Sequence, residues 1–222
     1  MKKQVYIYKR FERFWHWAQA ALITLLAFTG FEIHGSFSVL GFDNAVQVHN
    51  VSAILLMVLI VFAIFWHFVT GEWKQYIPTY HKLLEQIRYY TYGIFHGAPH
   101  PVHKTVRRKM NPLQVITYLG LKLVFIPVMV FSGILYMLYR FMYEGEVYTL
   151  EWFSLDSLAF WHTLGAYLLV QFVIIHVYMT TTGVTLTENI KAMITGYETL
   201  EDEHEVPSEE KVSQSKKQTV NA

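Results

Sequence analysis

The stretch Trp161 to Met179, WHTLGAYLLVQFVIIHVYM, carries no Asp, Glu, Lys or Arg, yet it holds two histidines, His162 and His176, fourteen positions apart. Its length is close to the 20 or so residues with which a helix crosses a hydrocarbon layer of about 30 Å. An ionisable side chain inside such a layer is costly and marks a function. The run therefore asks how the chain crosses a membrane and what its histidines hold.

Extended to residues 158–184, this run has three companions at roughly 15–33, 46–69 and 113–139, all nearly free of ionisable residues other than histidine. Segments such as Val51 to Trp66, VSAILLMVLIVFAIFW, lack the polar face that a soluble helix shows on every turn. The chain is 53% hydrophobic and 16% charged, more apolar than soluble domains, which have about 25% charged residues. These observations predict an all-α fold, a four-helix transmembrane bundle over residues 1–198, followed by a disordered polar tail over residues 199–222.

Lys and Arg in short flanks stay on the cytoplasmic side. Lys2, Lys3, Lys9, Arg10 and Arg13 precede the first run, and Lys74, Lys82, Arg88, Lys104, Arg107, Arg108 and Lys109 fill the link between the second and third. The other two links carry Glu32 and Asp43, and Arg140 against Glu144, Glu146, Glu151 and Asp156. Both termini are thus expected to be cytoplasmic, with four crossings between them. The basic start resembles a signal peptide, but no A-x-A-like end follows, so the first run is expected to be retained. Within the inner link, YIPTYHKLLEQIRYYTYGIF predicts an amphipathic helix on the membrane face, and HGAPHPVHK a turn-rich loop. Pro127 is expected to kink the third helix.

A net charge of +1, basic inner flanks against acidic outer links, implies membrane lipid and no nucleic acid as partner. The absence of cysteine excludes disulfides, c-type haem attachment and iron–sulfur clusters in this chain.

Five histidines lie within or at the ends of the runs: His16, His49, His67, His162 and His176. Fourteen residues at about 100° each leave His162 and His176 within roughly 40° of one helix face and about 21 Å apart along it. No single metal ion spans that distance, so two sites at two depths are required. Haem suits both, since neutral imidazole is a good axial ligand and the macrocycle is apolar. The second helix enters from outside, so His49 faces His162 at the outer level. At the inner level His176 has two candidate partners, His16 and His67. His67 is eighteen positions from His49, which sets it about 6 Å too deep in an upright helix. His16 is preferred and His67 is kept in reserve, because tilt absorbs such an offset. The plainer alternatives are interhelical hydrogen bonding, or a histidine-lined metal or proton transporter without haem. His81, His96, His100, His103 and His204 read as solvated, and Trp15, Trp17, Trp66, Trp73 and Trp161 as an interfacial belt.

Four segments carry a resemblance: RFWHWAQAALITLLAFTGFEI (13–33), VHNVSAILLMVLIVFAIFWHFVTGEW (48–73), NPLQVITYLGL (111–121) and the opening stretch, with MITGYETL (193–200) after it. Over roughly residues 8–198 the chain resembles the dihaem cytochrome b subunits of NiFe-hydrogenases and formate dehydrogenases. The resemblance implies that His16, His49, His162 and His176 are axial ligands of two b haems. It also implies that Asn111 and Gln114 line a site for menaquinone or ubiquinone, although Asn111 before Pro112 reads equally as a helix cap. His67 departs from the pattern. The implied role is an electron-transfer and anchoring subunit of a respiratory chain in a bacterial inner membrane. Its outer partner would be a periplasmic catalytic or iron–sulfur subunit, or a multihaem cytochrome c. Hydrogenases, formate dehydrogenases and thiosulfate-type reductases all have such subunits. No residue is assigned a catalytic role beyond exchange with quinone.

Overall fold

A computed structural model of the protein describes residues 2–98, 101–102, 109–144, 154–183 and 185–201. The expected outer link at 145–153, His100, His103, His204 and the polar residues 202–222 lie outside them. Seven α-helices and two short strands are described: β1 Lys2–Tyr6, α1 Arg10–Ile33, α2 Phe42–Thr70, α3 Leu83–Thr91, α4 Pro112–Gly120, α5 Ile126–Glu144, α6 Leu155–Thr180, α7 Glu188–Thr195 and β2 Tyr197–Glu201.

Three helical stretches are long and apolar enough to cross a membrane: α2, α4 running on into α5 (Pro112–Tyr139), and α6. Their outward faces are apolar and open, as in Val61, Phe65 and Phe68 on α2, a surface that water would not tolerate on a whole helix. The first expected span, α1, has 24 residues and sufficient length. His16, Gln19, Thr24 and Thr29 dilute its apolar run, so it falls short in composition.

The third span is one helix with a wide turn in it. Residues Leu121–Phe125 form a π-helical turn between α4 and α5. Pro127 explains it: proline has no N–H to give to the Leu123 carbonyl, and its ring crowds that oxygen. The expected kink takes the form of this π turn, which widens the helix where the clash would fall.

Helices α1 and α2 pack together, as do α5 and α6. The two pairs meet through side chains: Phe31 of α1 against Tyr167 of α6, and the His34 ring 3.0 Å from the Thr163 hydroxyl. Glu32, at the C-terminal end of α1, accepts hydrogen bonds from the backbone N–H groups of Val39, Leu40 and Gly41 at 2.7, 2.6 and 2.8 Å. One carboxylate oxygen thus pins the turn into α2.

At the opposite end, β1 and β2 form an antiparallel ladder from Lys2↔Glu201 to Tyr6↔Tyr197. Residues 199–201, assigned above to the tail, therefore belong to the folded part. Gly196 precedes β2 at φ +90°, where a Cβ would lie 2.6 Å from the Tyr6 ring and 2.8 Å from the Tyr8 carbonyl. The Gly196 carbonyl accepts from both Ile7 and Tyr8 N–H. Trp17 Nε1 and Arg13 donate to the carbonyls of Met193 and Ile194, docking α7 on the start of α1. The amphipathic helix expected between the second and third runs is present as α3, nine residues long and shorter than expected.

Candidate functional site

The four histidines fall into two facing pairs. His49 of α2 and His162 of α6 have ring centres 6.3 Å apart, and His16 of α1 and His176 of α6 have ring centres 6.2 Å apart. The levels agree along two antiparallel helices. Thr29, which touches His49, is thirteen residues from His16 on α1, about 20 Å, against about 21 Å between the histidines of α6.

That separation decides what fits. Two imidazole nitrogens each about 2 Å from a shared metal are about 4 Å apart, which places the ring centres about 6 Å apart. Among the described residues no three His, Cys, Asp or Glu side chains converge. A bare transition metal, which draws about four ligands from protein, is poorly served by two histidines. Haem iron needs only one protein ligand on each side, a demand that two facing imidazoles at this separation would fit.

Each level has its own surroundings. His49 Nδ1 is 2.9 Å from the Thr29 hydroxyl, and His162 Nδ1 is 3.0 Å from the Ser132 hydroxyl. At the inner level His176 Nδ1 lies 3.3 Å from the Tyr118 hydroxyl and its ring stacks on Phe172. His16 Nδ1 is buried without a hydrogen-bond partner among the described residues.

His67 sits elsewhere. Its Nδ1 donates to the Ala63 carbonyl at 2.6 Å, its Nε2 is 3.5 Å from the Tyr76 hydroxyl, and its ring lies between Trp15 and Trp66. Lys122, on the π turn, reaches the same cluster: its Nζ stands 3.4 Å from the Tyr76 ring centre and 5.3 Å from that of Trp15. Aromatic faces stabilise such a cation out of water.

Asn111 and Gln114 form a reciprocal capping box. Asn111 Oδ1 accepts from Gln114 N–H at 2.8 Å, and Gln114 Oε1 accepts from Asn111 N–H at 3.0 Å. Asn111 Nδ2 donates to the Tyr90 hydroxyl at 3.1 Å, tying α4 to α3. The capping reading of Asn111 is thus present in the structure. The box leaves the Gln114 side-chain NH2 unused.

Ion pairs close the same end of the molecule. Lys109 Nζ bridges Glu12 at 2.8 Å and Glu72 at 3.1 Å, and Lys9 Nζ meets Glu72 at 2.8 Å. Burial pushes the Glu72 carboxyl up, but hydrogen bonds from Lys9 and Lys109 outweigh it and hold the group below its ordinary value. Bonding to Glu72 raises Lys9 in turn.

The chain matches the family described as prokaryotic cytochrome b561 over residues 7–196, a span that takes in all four histidines. It belongs to that family. This cytochrome is 30% identical over 203 residues to an Escherichia coli (strain K12) protein described as "Putative cytochrome YdhU", covering 88% of this chain and 75% of that one. No solved structure matches it. Membership makes the protein a membrane cytochrome b, with haem b as cofactor and electron transfer to redox partners as its work. The resemblance read from the histidine segments is borne out at the level of the cytochrome b family. Sequence reading missed Thr29, Ser132 and Tyr118 as neighbours of the site, and Lys122 as a member of the His67 cluster. The first three look like ordinary membrane-helix residues, and the lone lysine inside the third span was the one visible signal.

Proposed function

We propose that this cytochrome is a four-span dihaem subunit that carries electrons between an oxidoreductase or cytochrome c on the outer face and the quinone pool, and anchors that partner. The observation that carries the reading is the equal spacing of two imidazole pairs at two depths. His49 and His162 would hold the outer haem, and His16 and His176 the inner one. Iron at these two levels supplies a one-electron relay across the layer. The chain contributes ligation, depth and a dry setting that tunes the iron.

The four-span reading makes α1 the remaining crossing and leaves both ends of the chain cytoplasmic, where the Lys and Arg count is highest. Quinone would bind near Asn111 and Gln114. The capping box supports this role, because it fixes the Gln114 side chain by its oxygen and leaves its NH2 to donate to a quinone carbonyl. The acidic outer links suit a docked partner. Moving charge across the layer couples the reaction to the membrane potential, at about 2.3 kcal/mol per charge per 100 mV.

The test is the visible spectrum and haem content of the purified protein. A b-type spectrum with two haems per chain is expected, His16→Ala should lose one haem, and His67→Ala should keep both. A haem-free protein from cells well supplied with haem sinks the reading, and loss of a haem from His67→Ala with retention in His16→Ala overturns the inner pair.

A further inference from the structure

The outer histidines are held in the same way on two different helices. Thr29 of α1 and Ser132 of α5 each stand before a glycine and after a phenylalanine, in Phe28-Thr29-Gly30 and Phe131-Ser132-Gly133. Both hydroxyls are buried, at 0% and 3% exposure. Thr29 Oγ1 donates to the carbonyls of Leu25 at 2.8 Å and Leu26 at 3.2 Å, and Ser132 Oγ to those of Val128 at 2.6 Å and Met129 at 3.3 Å.

A hydroxyl has one hydrogen. In both residues that hydrogen is directed at the helix's own backbone, so the contact with histidine at 2.9 and 3.0 Å has the hydroxyl oxygen as acceptor. The imidazole must then be the donor, through Nδ1–H. The Leu26 and Met129 carbonyls also accept from the His49 and His162 rings, so hydroxyl and carbonyl together favour Nδ1–H and leave the lone pair on Nε2.

The glycines complete the cradle. A Cβ on Gly133 would lie 3.1 Å from His162 Cε1, and one on Gly30 would lie 3.7 Å from His49 Cε1. The His162 ring therefore rests closely on the α5 backbone, while the His49 ring has room for a methyl group. At the inner level the arrangement differs: His176 meets a phenol, and His16 Nδ1 has no partner among the described residues.

From this geometry we infer that Thr29 and Ser132 are positioning residues that, beside the Leu26 and Met129 carbonyls, hold the tautomer and raise the electron density of the outer histidine pair, giving the two levels different redox potentials. The inference rests on the dihaem reading above. Hydrogen bonding from the far ring nitrogen makes an imidazole a more basic ligand. A more basic axial ligand favours oxidised iron, so the outer level has its potential lowered. Any Ser or Thr in a membrane helix can bond to the carbonyl four residues back, and that structural role predicts no such effect.

The test is a redox titration of the full-length protein in membranes, followed by visible absorbance, with haem content and low-spin electron paramagnetic resonance spectra measured in parallel. Thr29→Val and Ser132→Ala should each keep two haems and move one component to higher potential, additively in the double variant, with the other component unmoved. The resonance signal of the same component should change, and Thr29→Ser should behave as wild type. Gly133→Ala should disturb that component.

Two haems with both potentials unmoved in the double variant overturns the inference and leaves the dihaem reading standing. A haem lost from Thr29→Val but kept in Thr29→Ser supports the hydroxyl's role, whereas loss from both overturns it. A wild-type protein without two haems overturns the dihaem reading and the inference together.

Discussion

Gly196 shows how much a single residue can carry away from the histidines. Any side chain there must adopt φ +90° and intrude on both the Tyr6 ring and the Tyr8 carbonyl. Strain of this kind costs about 1 to 3 kcal/mol before the overlap is counted. Gly196→Ala should therefore lower the melting temperature of the detergent-purified protein. The visible spectrum should keep its shape below the transition, since the histidine pairs lie on other elements. At this scale the histidines were legible in the sequence because ionisable groups stand out in an apolar run, and the fourteen-residue interval fixes face and depth together. Thr29 and Ser132 were not legible, since hydroxyl residues are common in such helices and satisfy themselves on the backbone. What sets them apart is the ring that each one meets, and that depends on packing between helices.

The outer turn shows an element held by one carboxylate. Glu32 gathers the backbone N–H groups of three consecutive residues, Val39 to Gly41, immediately ahead of α2. Hydrogen bonds to a charged acceptor are stronger than those between neutral groups. Glu32→Ala should lower the melting temperature and loosen the start of α2, seen as faster amide exchange at residues 39–45. Unchanged exchange there would show that the turn holds itself. In the sequence this residue read as part of an acidic outer link, because charge counting assigns a side and says nothing of partners. The spans were readable from length and composition, and the break in the third was readable from Pro127. Its form as a π turn was not, because relief of a proline clash depends on how the neighbouring helix can widen.

For the whole molecule, the end that carries the start of α1 is held by charge and the membrane part by shape. Glu72 ionises more readily in the folded chain than at its ordinary value of 4.5. An unfolded chain then binds more protons than the folded one as pH falls through that range, so stability declines with acidification. The contribution is fully present above about pH 4.5 and disappears as pH drops through the lower folded value. Melting temperatures of wild type and Glu72→Gln, compared from pH 7 down to pH 3, should converge as acid removes the advantage of the carboxylate. Parallel curves over that range would assign acid sensitivity to other groups. Charge counting placed Lys9 and Lys109 on the inner side and gave neither a partner. Their assembly into one network needs Lys9, Glu12, Glu72 and Lys109 to arrive from three separate segments, which no local pattern announces.

The ladder between β1 and β2 also orders events in time. Its strands lie at residues 2–6 and 197–201, so the first is synthesised nearly the whole chain ahead of its partner. At about 5 to 20 residues per second the wait is roughly 10 to 40 s. Throughout synthesis the backbone of β1 and the N–H groups of Ile7 and Tyr8 have only water to bond with. This face therefore closes only after every described helix has been made.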